Sequence, residues 1–430
     1  MKRSAVLGLL LLTAGLVLAL VLAQRFQRPV AVNFYLTADT QGFLVPCGCK
    51  VVPAGGLARR VSALQALERL AGNEPVIPVE ATHGFADRGP GREILNREMG
   101  RFYASTGTLV GLGGYDLLLG PEALRMAAPG VPLYLAGREP YRGSKAFRLG
   151  GWGVPPLGAR GGLLRLVFLA QTPPGGATLR DPMEVMAEEV RLHPADRYMV
   201  VGQLAPPTTA ALLDAFPKIL VVAVQWGTDV TTIPQQRKGQ WILYLGDRGR
   251  RGASVRVAWS GGQWEVLPMI RYLGPEVPSD PATAAQVAQV LKAVDAVNVR
   301  ALAALASADK ARGGYTGSAR CASCHADAHR VWSISPHARA TSDLAIDHQQ
   351  SNPDCLVCHA TGLGKPGGYP RPDLDLSGVQ CEACHGPSEG HPPRPLEVLP
   401  PSQASCGTCH TPRDSPLFDA RGYWQLIKHK

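Results

Sequence analysis

The 430-residue chain has no methionine after Met269. A metal bound beyond that point therefore finds no thioether ligand within its own module. Cysteine is almost missing from the front of the chain: only Cys47 and Cys49 stand there, against eight in the last 110 residues. Basic residues outnumber acidic ones, 44 to 34, yet they form no dense run, and this argues against a nucleic-acid partner. No cysteine follows the apolar N-terminal run closely enough to accept a lipid. No internal repeat occurs outside the tail.

The tail itself holds four copies of Cys-x-x-Cys-His, their starts 34, 26 and 25 residues apart. This is the attachment signature of c-type haem. The thiols of Cys321 and Cys324, Cys355 and Cys358, Cys381 and Cys384, and Cys406 and Cys409 would add to haem vinyl groups. The adjoining His325, His359, His385 and His410 would each reach an iron. Zinc sites and a disulfide framework are the competing readings of paired cysteines. Neither needs a His directly after every second Cys, and all four copies have one. The expected cofactor is four covalent haem c groups.

Nine of the eleven histidines lie at or after position 325. Five stand outside the motifs: His329, His337, His348, His391 and His429. Four irons and five candidates make mostly bis-histidine ligation feasible, with low potentials relative to His/Met cytochromes. His329 and His348 are expected at the surface. Fewer than 120 residues cannot build much apolar core, so the porphyrins must supply it, and the module should not fold without them.

Charge divides the chain in the same place. From Tyr315 onward there are 10 basic and 11 acidic residues, which leaves 34 and 23 for the rest. The basic pI thus belongs to the front, where a solvated surface, anionic lipid or an acidic redox partner would account for it. Lys2 and Arg3 precede an apolar run from Ala5 to Ala23. Those 19 residues would span about 28 Å as a helix, roughly a bilayer core. A retained N-terminal membrane anchor is expected, with a cleaved signal peptide as the alternative. Either leaves the chain on the periplasmic side of the cytoplasmic membrane.

Between the ends, apolar runs of strand type recur at Val30–Thr37, Pro75–Val79, Leu163–Leu169, Tyr198–Val201, Ile219–Val224, Ile242–Leu245 and Ser254–Trp259. Helical stretches at Leu57–Leu70, Pro182–Leu192 and Thr208–Ala215 lie among them. This alternation predicts an α/β layered sandwich. An Ala-rich helix is expected near Pro281–Ala308, with Asp280 as its N-cap and Pro281 at its first position. The expected organisation is multidomain: an anchor or signal at 1–29, an α/β domain at 30–275, a Pro-rich linker and helix at 276–313, and a mostly α or irregular tetrahaem cytochrome c domain at 314–430.

The segment Tyr35-Leu-Thr-Ala-Asp-Thr-Gln-Gly42 resembles the first motif of calcineurin-like metallophosphoesterases of the 5′-nucleotidase branch. Gly114–Gly120, Gly161–Leu169 and Leu245–Gly252 resemble later pieces. The resemblance implies a two-metal hydrolase whose ligands are lost here. Gln41 stands in place of a His, Glu80 and His83 near a bridging Asp, and Gly120-Pro121 in place of Gly-Asn. Gln203 and Gln225-Trp226 replace later histidines. An amide is a poor substitute for imidazole on a transition metal, so phosphoesterase activity is not expected. His83 and His193 are expected as surface or loop residues. Cys47-Gly-Cys49 resembles a pattern in exported relatives of that family, and a local disulfide, a thiol role and a metal role all stay open for it.

The tail resembles tetrahaem cytochromes that accept electrons from hydroxylamine oxidoreductase. Trp332-Ser-Ile-Ser-Pro-His337, His359-Ala-Thr-Gly362, Gly378–Pro387 and Tyr423–His429 carry the likeness. It implies His337 as distal ligand of the third haem, His391 of the first, and His429 of one more. It also implies electron transfer with redox partner proteins, or chemistry on a small nitrogen compound at one open iron. It names no catalytic residue.

Overall fold

The computed structural model describes residues 31–46, 53–149, 162–172, 176–226, 233–260, 263–308, 314–391, 406–411, 415 and 418–429. The apolar run Ala5–Ala23 and the Cys47-Gly-Cys49 pair lie outside them. Among the described residues, no helix is long and apolar enough to cross a membrane.

Twelve strands form two six-stranded sheets. They are β1 (Ala31–Thr37), β2 (Val76–Glu80), β3 (Leu109–Gly111), β4 (Leu133–Tyr134), β5 (Ser144–Leu149), β6 (Gly162–Ala170), β7 (Arg197–Gln203), β8 (Ile219–Gln225), β9 (Gln235–Arg237), β10 (Gln240–Tyr244), β11 (Arg251–Ser260) and β12 (Gln263–Tyr272). The first sheet runs β12-β11-β1-β2-β3-β4 and the second β5-β6-β7-β8-β10-β9. Each has a parallel centre, with β1 parallel to β2 and β6, β7, β8 and β10 parallel in turn. Antiparallel strands close both flanks of the second sheet and the β11–β12 flank of the first, whose other edge, β4, is parallel to β3. Central strands are Val-, Ile- and Leu-rich because both their faces are covered.

The sheets pack face to face through Phe34, Leu36, Val79, Leu166, Phe168, Val221 and Val255. The outer face of the first sheet is covered by α1 (Leu57–Ala71), α2 (Arg92–Thr106) and α3 (Pro121–Ala127), whose Leu57, Met99 and Leu124 join one cluster. The second is covered by α4 (Pro182–Leu192) and α5 (Pro206–Ala215), through Val185, Met186, Leu212 and Leu213. The result is the helix–sheet–sheet–helix sandwich that the alternation predicts.

One long helix, α6 (Pro281–Ala308), then follows. Asp280 starts it by accepting hydrogen bonds from the backbone and hydroxyl of Thr283. Val287 and Leu291 of α6 pack into the cluster around α1 and α2. Further along, Leu302 packs on Leu356 and Ala360 in the tail. Among its described residues the tail has only short helices: α7 (Ser318–Cys321), α8 (Ala326–Ser333), α9 (Ala340–Asp343), α10 (Pro353–His359), α11 (Cys381–His385) and α12 (Ala420–Ile427). Among its described apolar residues only Tyr315, Ala340, Leu356, Ala360 and Leu376 are buried, while Ile334, Ile346, Val357 and Leu426 are exposed.

Candidate haem centres

Each Cys-x-x-Cys-His unit forms about one helical turn. In the second motif, Asn352 caps α10 by accepting from the Asp354 backbone, and Pro353 opens the helix. Cys355 and His359 then stand four residues apart, so they share a helix face. The first and fourth motifs close the same way, with His325 N–H donating to Cys321 O at 2.8 Å and His410 N–H to Cys406 O at 2.8 Å. None of the eight motif cysteines is in a disulfide. Among the described residues no group of His, Cys, Asp and Glu forms a metal cluster.

The histidines are arranged in facing pairs. His325 faces His391 with ring centroids 6.2 Å apart. His337 faces His410 at 6.2 Å, and His385 faces His429 at 5.8 Å. A metal–imidazole bond of about 2.0–2.1 Å, with the ring centroid roughly 1.1 Å beyond the nitrogen, puts two trans imidazoles about 6.2 Å apart. Each pair is thus spaced as two imidazoles holding one iron between them would be. Burial lowers the pKa of His337, His385 and His410, with neighbouring histidines adding to it, which favours the neutral form that binds metal.

Second contacts orient the rings. His359 Nδ1 lies 2.7 Å from the Ala340 carbonyl, which makes that nitrogen the donor and leaves Nε2 for a metal. His410 Nδ1 is 3.2 Å from Ser415 Oγ, and the Phe418 ring stacks on His410 at 4.5 Å. Among the described residues, no second histidine ring faces His359 in this way. His329 leans on Trp332 at 5.2 Å instead. His348 lines a cavity of about 230 Å³ between Leu44–Pro46, α1, α6 and Ile346.

The motifs are also close to one another. The Cys321 and Cys381 thiols act on each other, which lowers the pKa of the first and raises that of the second. His325 acts electrostatically on His385, Cys406 and Cys409 on Cys384, and His359 on both His337 and His410. These electrostatic influences link the first motif to the third, the third to the fourth, and the fourth to the second.

A different cluster sits at the strand ends of the front sandwich. Asp39 Oδ1 accepts from Gln41 Nε2 at 2.8 Å and lies 3.1 Å from His83 Nδ1. Asp39, Gln41 and His83 all have positive φ, at 57°, 48° and 50°. Three strained residues meeting at one point mark a built site. Beside it Glu80 accepts from Thr37 Oγ1, Thr40 Oγ1 and Arg60 Nη1, the last at 2.5 Å. The Arg60 guanidinium lies over the rings of Phe102 and Tyr103, 5.0 and 5.7 Å from their centroids. A buried cation thus neutralises Glu80, and an amide takes up Asp39.

Residues 320–386 match the family of cytochrome c554 and c-prime. A curated relative, cytochrome c-554 of Nitrosomonas europaea, is 35% identical over 91 residues, which make up 17% of this chain and 38% of the relative. The chain thus spans under two fifths of that relative's length. Among solved structures, NAD nucleotidase of Haemophilus influenzae aligns with a TM-score of 0.48 and 11% identity, over 68% of this chain and 63% of its own. The 5′-nucleotidase precursor of Thermus thermophilus aligns with a TM-score of 0.44 and 16% identity, over 66% of this chain and 61% of its own. In both cases less than two thirds of the neighbour is covered. The cytochrome resemblance expected from the sequence is found over residues 320–386. Residues 320–386 are thus similar to the cytochrome c554 family, which supports a c-type cytochrome reading of that segment.

The resemblance implies His337 for the third haem; here its ring faces His410 of the fourth motif, while the His429 ring faces His385 of the third. His83 lies in a loop, one of the two placements expected, but not at the surface: it is 1% exposed and its Nδ1 lies 3.1 Å from Asp39 Oδ1. Burial opposes charge on His83, but the Asp39 hydrogen bond and the fields of Asp116 and Asp39 outweigh it and raise its pKa. His193 ends α4, half-buried, where its carbonyl accepts the Tyr198 hydroxyl at 2.5 Å. Sequence reading missed Arg60, whose role depends on a contact 20 residues away. It also missed Ser415 and Phe418, whose types carry no ligand signal.

Proposed function

We propose that the protein is an exported tetrahaem c-type cytochrome that passes electrons along a chain of four covalent haems, carried by a phosphoesterase-like sandwich that has lost its metal site. The three facing histidine pairs are the observation that carries this reading. Bound haem supplies one-electron redox chemistry. The chain's part is to attach each group through Cys321/Cys324, Cys355/Cys358, Cys381/Cys384 and Cys406/Cys409, and to hold each iron through its His. His391, His337 and His429 saturate three of them, so those sites need no substrate and suit transfer alone. The contacts between motifs support a linear order of first, third, fourth and second. Redox proteins of the periplasm or membrane would load and unload its ends. The segment 1–29 would export or anchor the chain, 30–275 and 314–430 would be its domains, and 276–313 their link.

A second reading rests on His359. With no facing imidazole, the second iron would keep one axial position open to a small nitrogen ligand such as nitrite, hydroxylamine or nitric oxide. The front domain, with Gln41 on Asp39 and Arg60 on Glu80, would not hydrolyse phosphate esters.

Pyridine haemochrome analysis and spin-resonance spectra test both readings. Four haems per chain, three low-spin ferric signals and one high-spin signal are expected. A shift of the high-spin signal on adding nitric oxide favours the second reading for that iron. A colourless protein from a host with a full cytochrome-maturation system would overturn the proposal. Phosphate-ester turnover with added manganese would overturn the inactive front site.

A further inference from the structure

Glu382 lies inside the third motif, between Cys381 and Cys384, yet it is only 4% exposed. Its carboxylate is saturated. Oε1 accepts from Thr316 N at 2.9 Å, Ser388 N at 2.9 Å and Ser388 Oγ at 2.6 Å. Oε2 accepts from Gly317 N at 2.8 Å. The Thr316 and Ser388 hydroxyls meet each other at 2.5 Å. These partners are not arbitrary. Thr316 and Gly317 lead directly into Cys321 of the first motif, and Ser388 precedes His391, whose ring faces His325 of that same motif. One side chain of the third motif thus ties down both sides of the first.

The donors are neutral. Among the described residues no Lys or Arg forms an ion pair with Glu382, so its charge is met only by N–H and O–H dipoles. A carboxylate that accepts from every partner carries a full negative charge. That charge acts on both Cys321 and Cys381, raising the pKa of each thiol as a secondary cause. An oxidised haem iron held at the first or third motif would supply a compensating positive charge. Reduction by one electron removes one positive charge from such a centre, so a buried anion beside it favours the oxidised form.

We propose that Glu382 is a positioning residue shared by the first and third haem sites: it clamps their attachment segments together and lowers the reduction potential of both. The inference rests on the haem reading above.

Glu382→Gln keeps the shape and removes the charge, and Glu382→Asp keeps the charge. Spectropotentiometric titration of the full holoprotein reads the potentials, spin resonance reads the ligands, and pyridine haemochrome counts the haem. In Glu382→Gln, two of the redox waves should rise, with the ferrous-to-ferric ratio at a fixed potential increasing about tenfold, or about 59 mV for a one-electron couple. The low-spin signals should persist, and Glu382→Asp should move the same waves less. Unmoved waves in Glu382→Gln, or equal movement in both variants, would overturn the inference. Should Glu382→Gln fail to mature, Ser388→Ala decides: it removes one donor and keeps the charge, so the same two waves should fall, and a rise or no change overturns the proposal. Absence of haem from the wild-type protein would instead overturn the reading beneath it, which the haemochrome count detects separately.

Discussion

Arg60 shows how a single side chain can neutralise a buried carboxylate. It is 3% exposed, paired with Glu80 at 2.5 Å and covered by two aromatic rings. Removing one partner of such a pair leaves an uncompensated buried charge. Arg60→Met should therefore cost about 3–5 kcal/mol in denaturant unfolding, and the double variant Arg60→Met/Glu80→Met should recover most of it. Near-UV circular dichroism of the two variants checks this. A neighbouring residue gives a pH signature. The folded pKa of His83 lies above its ordinary value. Its contribution is therefore fully present below about pH 6.5 and is lost as pH rises through the folded pKa. His83→Gln should destabilise the protein more at pH 5.5 than at pH 8.5, measured by the denaturation midpoint at each pH.

At the scale of elements, close approach explains what periodicity does not. The strands β1, β2, β6, β7, β8, β10 and β11 were legible as apolar runs because both their faces are buried. Helix α2 was not, because Gly100 and five charged residues break its apolar stripe. Gly100 is there for a reason: a Cβ on it would lie 1.9 Å from the Ala127 carbonyl of α3. In an open helix, Gly→Ala gains up to about 1 kcal/mol. Here Gly100→Ala should reverse that sign and lower the denaturation midpoint, since α3 must move away. Strand β12 was illegible for a related reason. It carries Pro268 and alternates exposed Leu267 and Met269 with half-buried residues, as only an edge strand can. In the tail, the motifs and their proximal histidines could be read from spacing. The pairing of His337 with His410 could not, because it spans 73 positions and depends on how the loops fold back.

For the whole molecule, the distribution of buried apolar side chains sets an order of dependence. The sandwich has three clusters built from its own strands and helices. The tail shares one small cluster, in which Leu302 of α6 meets Leu356 and Ala360. Its remaining order comes from hydrogen bonds such as those of Glu382, and these do not offset the entropy of so many loop residues. Haem faces would bury Ile334, Val357 or Leu426 where the polypeptide alone leaves them exposed. Folding of the two halves should therefore separate when the cofactor is withheld. A variant with all eight motif cysteines changed to Ala should keep a protease-resistant core ending in α6, and lose the rest to limited digestion within the time the holoprotein survives intact. Mass spectrometry of the fragments reads the boundary. A tail that resists digestion without haem would mean that the polypeptide holds itself together, and the argument that porphyrin completes the core would fail.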